Sequence, residues 1–423
     1  MPNPFLPISI SLSPNTQPDD IDLAQKLLAQ TKQNADFDGA PRSLENQFKK
    51  YLGVKHASSF NSGRSSLMAI LNGLELPSGS QVLLQALTCN AAANPIRWSG
   101  LEPVFVDCDN TYNLDAADLA KKITPRSRAV IVQHTFGLPA DMDAIIKICQ
   151  KNNLILIEDC AHALGAAYHQ QKVGTFGKAA FFSFSRDKII SCVYGGIAAT
   201  SDDQLAQKIA AYQEKIGFPP TSWTRQQLRH PILMNRLILP TYSILGKYLL
   251  VLFQQVNVLS KAVHWKEKRG LCPDYFPRRL PGALALLASH QLEKLDKYNS
   301  HRQKTAQIYF QAFGEYLASN NKKLLSFHLP PNPSDHQSVF LRFTLRRDNA
   351  AQIIKKAWSK NLLLGDWYRT PVDPFDTLPE TVGYQKGSCP RAEEFAGTMI
   401  NLPTHINISE NQARQIINFL LQN

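Results

Sequence analysis

Leu154-Ile-Leu-Ile-Glu-Asp159 and Phe181-Phe-Ser-Phe-Ser-Arg-Asp-Lys188 are the two stretches on which the fold turns. The first is an apolar run that closes on two carboxylates, and the second is an apolar run that closes on a lysine. Short unbroken apolar runs followed by polar turns read as strands covered on both faces, as in a parallel sheet. Working outward, similar runs occupy 81–87, 103–109, 129–135 and 196–200, with the helical periodicities of 114–123 and 142–151 between them. Alternation of this kind predicts β-α-β units, hence an α/β domain with a mainly parallel central sheet covered by helices.

Upstream, Phe60-Asn-Ser-Gly-Arg-Ser-Ser66 runs into Leu67, Ile70, Leu71 and Leu74, a polar glycine turn that opens a helix. A long helical pattern over 281–313 reads as a link between two domains. The last hundred residues read as a smaller α+β domain, with a strand over 339–345, a helix over 350–358 and a final helix N-capped by Ser409. The expected division is 1–217 for the N-terminal segment and large domain, 218–277 for an insertion, 278–313 for the linking helix and 314–423 for the C-terminal domain.

Of the 423 residues, 44% are hydrophobic and 19% charged, which excludes disordered, collagenous and coiled-coil classes. The opening Met1-Pro-Asn-Pro-Phe-Leu-Pro7 lacks a basic start and an unbroken apolar core, so no export is expected. Seven scattered cysteines without a Cys-x-x-Cys pair suggest neither disulfides nor a zinc site, so a reducing cytoplasm and no metal are expected. The net charge is +12, and the segment from Lys215 to Arg269 holds nine basic residues against the single acidic Glu267. No helix-turn-helix, finger or RNP motif accompanies that charge, so a nucleic-acid partner is not expected.

The chemistry lies where ligands bind parallel α/β sheets, beyond the carboxyl ends of the strands. Asp159 ends a fully apolar strand and needs a cationic partner there. Lys188 follows another strand and precedes Gly195-Gly196, where the backbone can turn tightly. A lysine amine that condenses with an aldehyde, and a carboxylate that keeps a pyridine nitrogen protonated, are the protein's share of pyridoxal phosphate (PLP) chemistry. The Ser62-Gly63-Arg64 turn would offer backbone N–H groups and a helix N-terminus to the cofactor phosphate, with the Ser183 hydroxyl beside them.

With these residues in place, the chain resembles the DegT/DnrJ/EryC1/StrS family of PLP-dependent sugar aminotransferases, which have the aspartate aminotransferase (type I) fold. The resemblance covers most of the chain. It is carried by Asn61-Ser-Gly-Arg-Ser-Ser-Leu67, Pro103-Val-Phe-Val-Asp107, His134-Thr-Phe-Gly137 with Asp141-Met142, Glu158-Asp-Cys-Ala-His-Ala-Leu-Gly-Ala166, Ser183-Phe-Ser-Arg-Asp-Lys188, Gly195-Gly196 and Gln291-Leu-Glu-Lys-Leu-Asp296. It implies that Lys188 bonds the cofactor aldehyde and shuttles protons, that Asp159 pairs with the pyridine nitrogen, and that Ser183 with the Ser62-Gly63 turn holds the phosphate. It also implies transfer of an amino group, commonly from glutamate, to a keto sugar on a nucleotide, in a homodimer with shared active sites.

Some positions depart from the family pattern. His162 stands where the family usually has glutamine, either touching the cofactor or buried against backbone. Cys89 stands where many members stack an aromatic on the ring, and a packed cysteine is the plainer reading. Arg279, in Pro277-Arg-Arg-Leu280, matches the family arginine that reaches the phosphate of the neighbouring subunit, although the asparagine before it is missing. Substrate contacts are sought among Trp367, Tyr368, Arg369 and His405. Dehydratases of the family replace the lysine by histidine, so Lys188 favours transamination over dehydration. Intact Asp159, Ser183 and Lys188 speak against a non-catalytic regulatory protein.

The 218–277 segment exceeds what the resemblance leads one to expect. Its uncharged apolar runs are cut by Arg236, Pro240 and Lys247 into pieces shorter than the ~20 residues that span a bilayer, so spanning is not expected. Two readings stay open: the segment lies peripherally on an anionic membrane at the inner face, or it packs against the partner subunit.

Overall fold

A computed structural model describes residues 5–32, 37–319 and 327–423. Met1 to Pro4, the start of the segment read for export, lie outside these. Seven strands form the central sheet: β1 (His56–Phe60), β2 (Gln81–Gln85), β3 (Glu102–Val106), β4 (Ser127–Gln133), β5 (Ile155–Asp159), β6 (Ala179–Ser183) and β7 (Gly196–Thr200). Their order is β1-β7-β6-β5-β4-β2-β3. Every neighbouring pair is parallel except those made by β7, which runs antiparallel to β6 and to β1. The sheet predicted from the two opening stretches is thus present, with strand limits shifted by a few residues.

Alternation explains why β5 serves two purposes. Successive side chains of a strand point to opposite faces, so Glu158 and Asp159 part company. Both Glu158 oxygens are taken by the backbone N–H groups of Gly174, Phe176 and Gly177 at 2.6, 2.7 and 2.8 Å, with His134 at 3.2 Å. Glu158 therefore fixes the loop that leads into β6, and Asp159 is left for the ligand side.

Helices cover both faces. Met142–Lys151 is capped by Asp141, which accepts from the Ala144 N–H, and buries Ile145 and Cys149 on the sheet. Gly63–Gly73 is capped by Ser62 and lies almost wholly buried on the other face. The pattern over 281–313 forms two helices rather than one, Gly282–Leu292 and Leu295–Ala318, because the chain leaves regular helix at Glu293-Lys294. The second of them packs into the core of the C-terminal domain, where Phe343–Arg346 pairs antiparallel with Met399–Leu402. Ser409 caps Glu410–Leu421 in a full capping box with Gln412.

Within 218–277 the helical residues Thr221–Gln255 are long and apolar enough, by length and composition alone, to cross a membrane. Arg236 and Lys247 do not interrupt them, whereas Pro240 lies in the turn Leu239–Thr241. They do not form one rod, however. Gln226 donates to the Asn257 carbonyl at 2.6 Å and Ser260 donates to Gln227 at 2.6 Å. In a straight helix residues 226 and 257 would stand roughly 45 Å apart at ~1.5 Å per residue. The segment is a hairpin that reverses around Leu239–Thr241, with Gly246 seated on the Ile238 carbonyl where any Cβ would collide.

Candidate active site

The carboxyl ends of β4, β5 and β6 open on a cavity of about 240 Å³. Asp159, His162, Ser183 and Lys188 line it together, joined by Gly63, Arg64, Cys89 and the Trp367-Tyr368 pair from the C-terminal part of the chain. Residues separated by more than three hundred positions thus meet at the sheet end to which the sequence pointed.

Asp159 is buried and accepts from the Ala161 N–H at 2.9 Å. Burial pushes its carboxyl up to about 6, and that hydrogen bond and the charges of Lys188 and His134 limit the rise. Lys188 shows the opposite shift from the same cause: burial pulls its ammonium down to about 8, against the stabilising charge of Asp159 and Asp187. Its Nζ lies 5.3 Å from the centre of the Trp367 ring. The backbone that carries it is clamped from the N-terminal segment, where the Asn15 amide donates to the Lys188 and Ile189 carbonyls and the buried Arg302 holds Asn15 in turn at 2.6 Å.

His162 lies in a layered stack, parallel to Phe136 at 6.0 Å and nearly parallel to Trp367 at 5.8 Å. Burial drives its pKa well below the usual value, so it is a neutral ring. The Phe136 N–H at 3.4 Å points at its Nδ1.

The Ser62-Gly63 turn is set by close backbone approach. A Cβ on Gly196 would sit 2.5 Å from the Ser62 carbonyl carbon and 2.6 Å from the Gly63 nitrogen, and a Cβ on Gly63 would meet that of Ser183 at 3.0 Å. Gly196 is required for the Ser62-Gly63 turn to lie against β6 and β7, and at Gly63 a side chain would press on Ser183. The Ser62 hydroxyl itself is spent on the cap, accepting from the Ser65 N–H at 3.1 Å, which leaves the Gly63 end of the helix and the Ser183 hydroxyl to face the cavity. Arg64 turns aside to an ion pair with the buried Glu267.

Other expected residues fall elsewhere. His405 is buried and its Nε2 meets the Ser9 carbonyl at 2.8 Å, so it joins the two chain ends instead of lining the cavity. Arg369 is 3.0 Å from Asp366 and stacks on Phe375. Arg279 stacks on Phe218 and lies 3.6 Å from Glu214, away from the cavity of its own chain.

The cavity also holds residues that the sequence reading passed over. Gln133 ends β4 and bonds Thr88 at 2.6 Å; its place at a strand end was a usable signal. Arg186 and Asp187 lie in the Lys188 loop itself. Ala262 and Val263, at the end of the insertion, form part of the wall, and no local pattern marked them. Their strap is fixed by Arg186, which donates to the Ser260 carbonyl and hydroxyl at 2.9 Å each, and by Tyr194, which donates to the Lys261 carbonyl at 2.5 Å.

The model of the DegT/DnrJ/EryC1/StrS aminotransferase family matches residues 21–236 and 263–421, leaving 237–262 unmatched. The chain is 30% identical over 378 residues to a GDP-perosamine synthase of Caulobacter vibrioides, covering 88% of this chain and 87% of the relative. It is 29% identical to a UDP-N-acetyl-3-dehydro-alpha-D-glucosamine 3-aminotransferase of Acidithiobacillus ferrooxidans, covering 89% and 86%. Among solved structures, Helicobacter pylori PseC, an aminotransferase involved in the biosynthesis of pseudoaminic acid, superposes with a TM-score of 0.74 over 98% of both chains at 21% identity, a likeness of fold.

Proposed function

The chain belongs to the DegT/DnrJ/EryC1/StrS aminotransferase family and is therefore an enzyme of the transaminase class, and we propose that it moves an amino group from an amino acid, in our reading glutamate, to a keto sugar carried on a nucleotide. The family implies PLP as cofactor, and the donor set fits it. A buried carboxylate, a lysine of lowered pKa and a glycine-built anion cradle converge on one cavity. When bound there, PLP supplies an aldehyde for amines and a protonated ring that accepts electron density.

The chain's own residues supply the rest. Lys188, with a pKa near 8, is partly neutral at physiological pH, so its amine can bond the aldehyde and later take up and return a proton at Nζ. Asp159 would hold the ring nitrogen's proton, a charge-assisted contact that also relieves the cost of burying its carboxylate. The Gly63 N–H, the helix dipole behind it and the Ser183 hydroxyl would hold the phosphate. The flat, neutral His162, with Trp367 stacked on it, would fix the plane of the ring and keep water from it.

The reading includes a cytoplasmic homodimer in which Arg279, outside its own cavity, reaches that of the partner, and a peripheral contact of residues 218–277 with anionic membrane. The observation that carries the catalytic part is the meeting of Asp159 and Lys188 in one cavity with opposite pKa shifts. Incubation of the PLP-loaded protein with glutamate and a panel of keto sugar nucleotides tests it: stoichiometric 2-oxoglutarate and amino sugar are expected. Release of ammonia or of a deoxy sugar without an amino group would contradict it.

A further inference from the structure

The hairpin's outer face shows apolar side chains to solvent in helical register. Ile244, Tyr248, Leu252 and Val256 follow one another at four-residue steps, with Leu245 and Val251 beside them, and Ile244, Tyr248 and Val256 are 59%, 62% and 58% exposed. Of the most apolar eighteen residues in Thr221–Gln255, only 11% are buried. The inner face is satisfied: Met234, Ile238 and Leu259 pack with Leu249, Leu250 and Phe253. The stripe continues onto the N-terminal segment, where Phe5 and Leu6 are exposed and the Ser243 hydroxyl lies 3.5 Å from the Phe5 carbonyl.

Charge identifies what covers this face. Lys247 and Lys261 stand exposed along the segment, while Arg236 is exposed but paired with Asp22 at 3.2 Å. Glu267, the one carboxylate between Lys215 and Arg269, is buried against Arg64, and the exposed Asp274 beyond it pairs with Lys266, so Lys247 and Lys261 face no carboxylate of the segment. A second copy of the same face would add its own Lys247 and Lys261 to the contact without a carboxylate from this segment to meet them. An apolar stripe flanked by cations whose stems lie along it suits an anionic lipid surface, where acyl chains cover the apolar side chains and headgroups meet the cations.

Length decides how it enters. The return arm has five residues of π-type and nine of α-type helix, about 21 Å at ~1.5 Å per residue, against a hydrocarbon core of ~30 Å. We propose that the hairpin around Leu237 to Val256 beds in one leaflet of an anionic phospholipid bilayer, without crossing it, and holds the mouth of the active site at the membrane surface. The coupling is covalent: from Val256 the chain runs through Ser260, gripped by Arg186, to the cavity wall at Ala262 and Val263. The inference deepens the peripheral contact and rests on it, and not on the transamination reading.

Flotation of the full-length PLP-loaded protein on phosphatidylcholine vesicles with and without phosphatidylglycerol tests it, with no substrate present, so that a failure here leaves the catalytic reading untouched. Flotation only with phosphatidylglycerol, reduced by salt, is expected. The Ile244→Glu/Leu252→Glu variant should stay in the dense fraction while keeping the circular dichroism and soluble turnover of the parent. Lys247→Glu should bind more weakly by roughly tenfold or more, since removing one cation near headgroups costs about fivefold and the added anion is repelled. Should the double glutamate variant unfold, Tyr248→Ser/Val256→Ser reads the same face. An intact protein that never floats, or floats equally on uncharged vesicles, overturns the proposal. So does a concentration-dependent dimer that the double variant dissociates, which would assign the face to a second copy.

Discussion

The active-site cavity and the hairpin invert the usual partition of side chains in opposite ways. In the cavity, carboxylates and an imidazole are buried and an amine is half-buried; in the hairpin, leucine, isoleucine, valine and tyrosine are exposed. Several of these polar groups are held, Asp159 by Ala161 and Gln133 by Thr88, and the backbone of Lys188 is held by Asn15. The exposed apolar groups have no such support within the described residues. Strain that is supported from within marks a site built for a small molecule, whereas apolar surface left uncovered marks a contact still to be made.

The comparison can be broken most forcefully at Lys188. Lys188→Met should lower turnover by ~10²- to 10⁴-fold, the range for loss of a positioned proton carrier, as read from initial rates. The same variant carries a stability signature. The folded pKa of Lys188, about 8, lies below its ordinary 10.5, so the fold opposes the charged form. That cost is fully present below about pH 8 and vanishes as pH rises to 10.5, so the cofactor-free variant should melt higher than the parent at pH 7 with a margin that shrinks across that window. A parent that melts higher at pH 7 would show that the lysine is not held at a cost.

Glu267→Gln breaks the buried pair with Arg64 that ties the strap to the cofactor end of the sheet. A loss of about 3 to 5 kcal/mol is expected for an uncompensated buried partner, visible as a lowered melting temperature. A wild-type melting curve would make the pair a surface-like contact and separate the strap from the cavity. Asp159→Asn should leave the fold intact and remove a charge-assisted contact of ~1.5 to 3 kcal/mol to the bound cofactor, seen as slower turnover. Because the folded Asp159 carboxyl sits near 6, cofactor-free protein should lose stability as pH rises from about 3.8 through 6, and the asparagine variant should lack that slope.

Smallest of all should be the effect of trimming the hairpin stripe. Leu245→Ala or Val251→Ala should change stability in solution by less than ~0.5 kcal/mol, as for surface positions generally. A drop of several times that size would mean that the stripe is already packed, and the contrast between the two regions would fail.

Much of this was legible in the sequence because strands report their ends. Leu154 to Asp159 and Phe181 to Lys188 pair as neighbours in the sheet and deliver Asp159 and Lys188 to one edge. The Ser62-Gly63 turn was visible as a helix start, and the structure adds why glycine is needed beside it at 196. What the sequence could not show depends on contacts distant along the chain. Asn15 reaches the Lys188 backbone across 173 positions, and Arg302 reaches Asn15 across 287. His405 looked like a loop residue free for substrate, but the N-terminal strand that occupies its Nε2 has no local signature. In the 218–277 segment the chain turns at Pro240, one of the three breaks read from the sequence, whereas helix continues through the charges of Arg236 and Lys247.

The central claim is that Lys188 is the residue whose amine bonds PLP, beside Asp159, and borohydride tests it most directly. Reduction of the PLP-loaded protein followed by peptide mapping should place the pyridoxyl group on Lys188 alone. A label on Lys172, Lys178 or another lysine, or none after verified cofactor binding, would contradict the account.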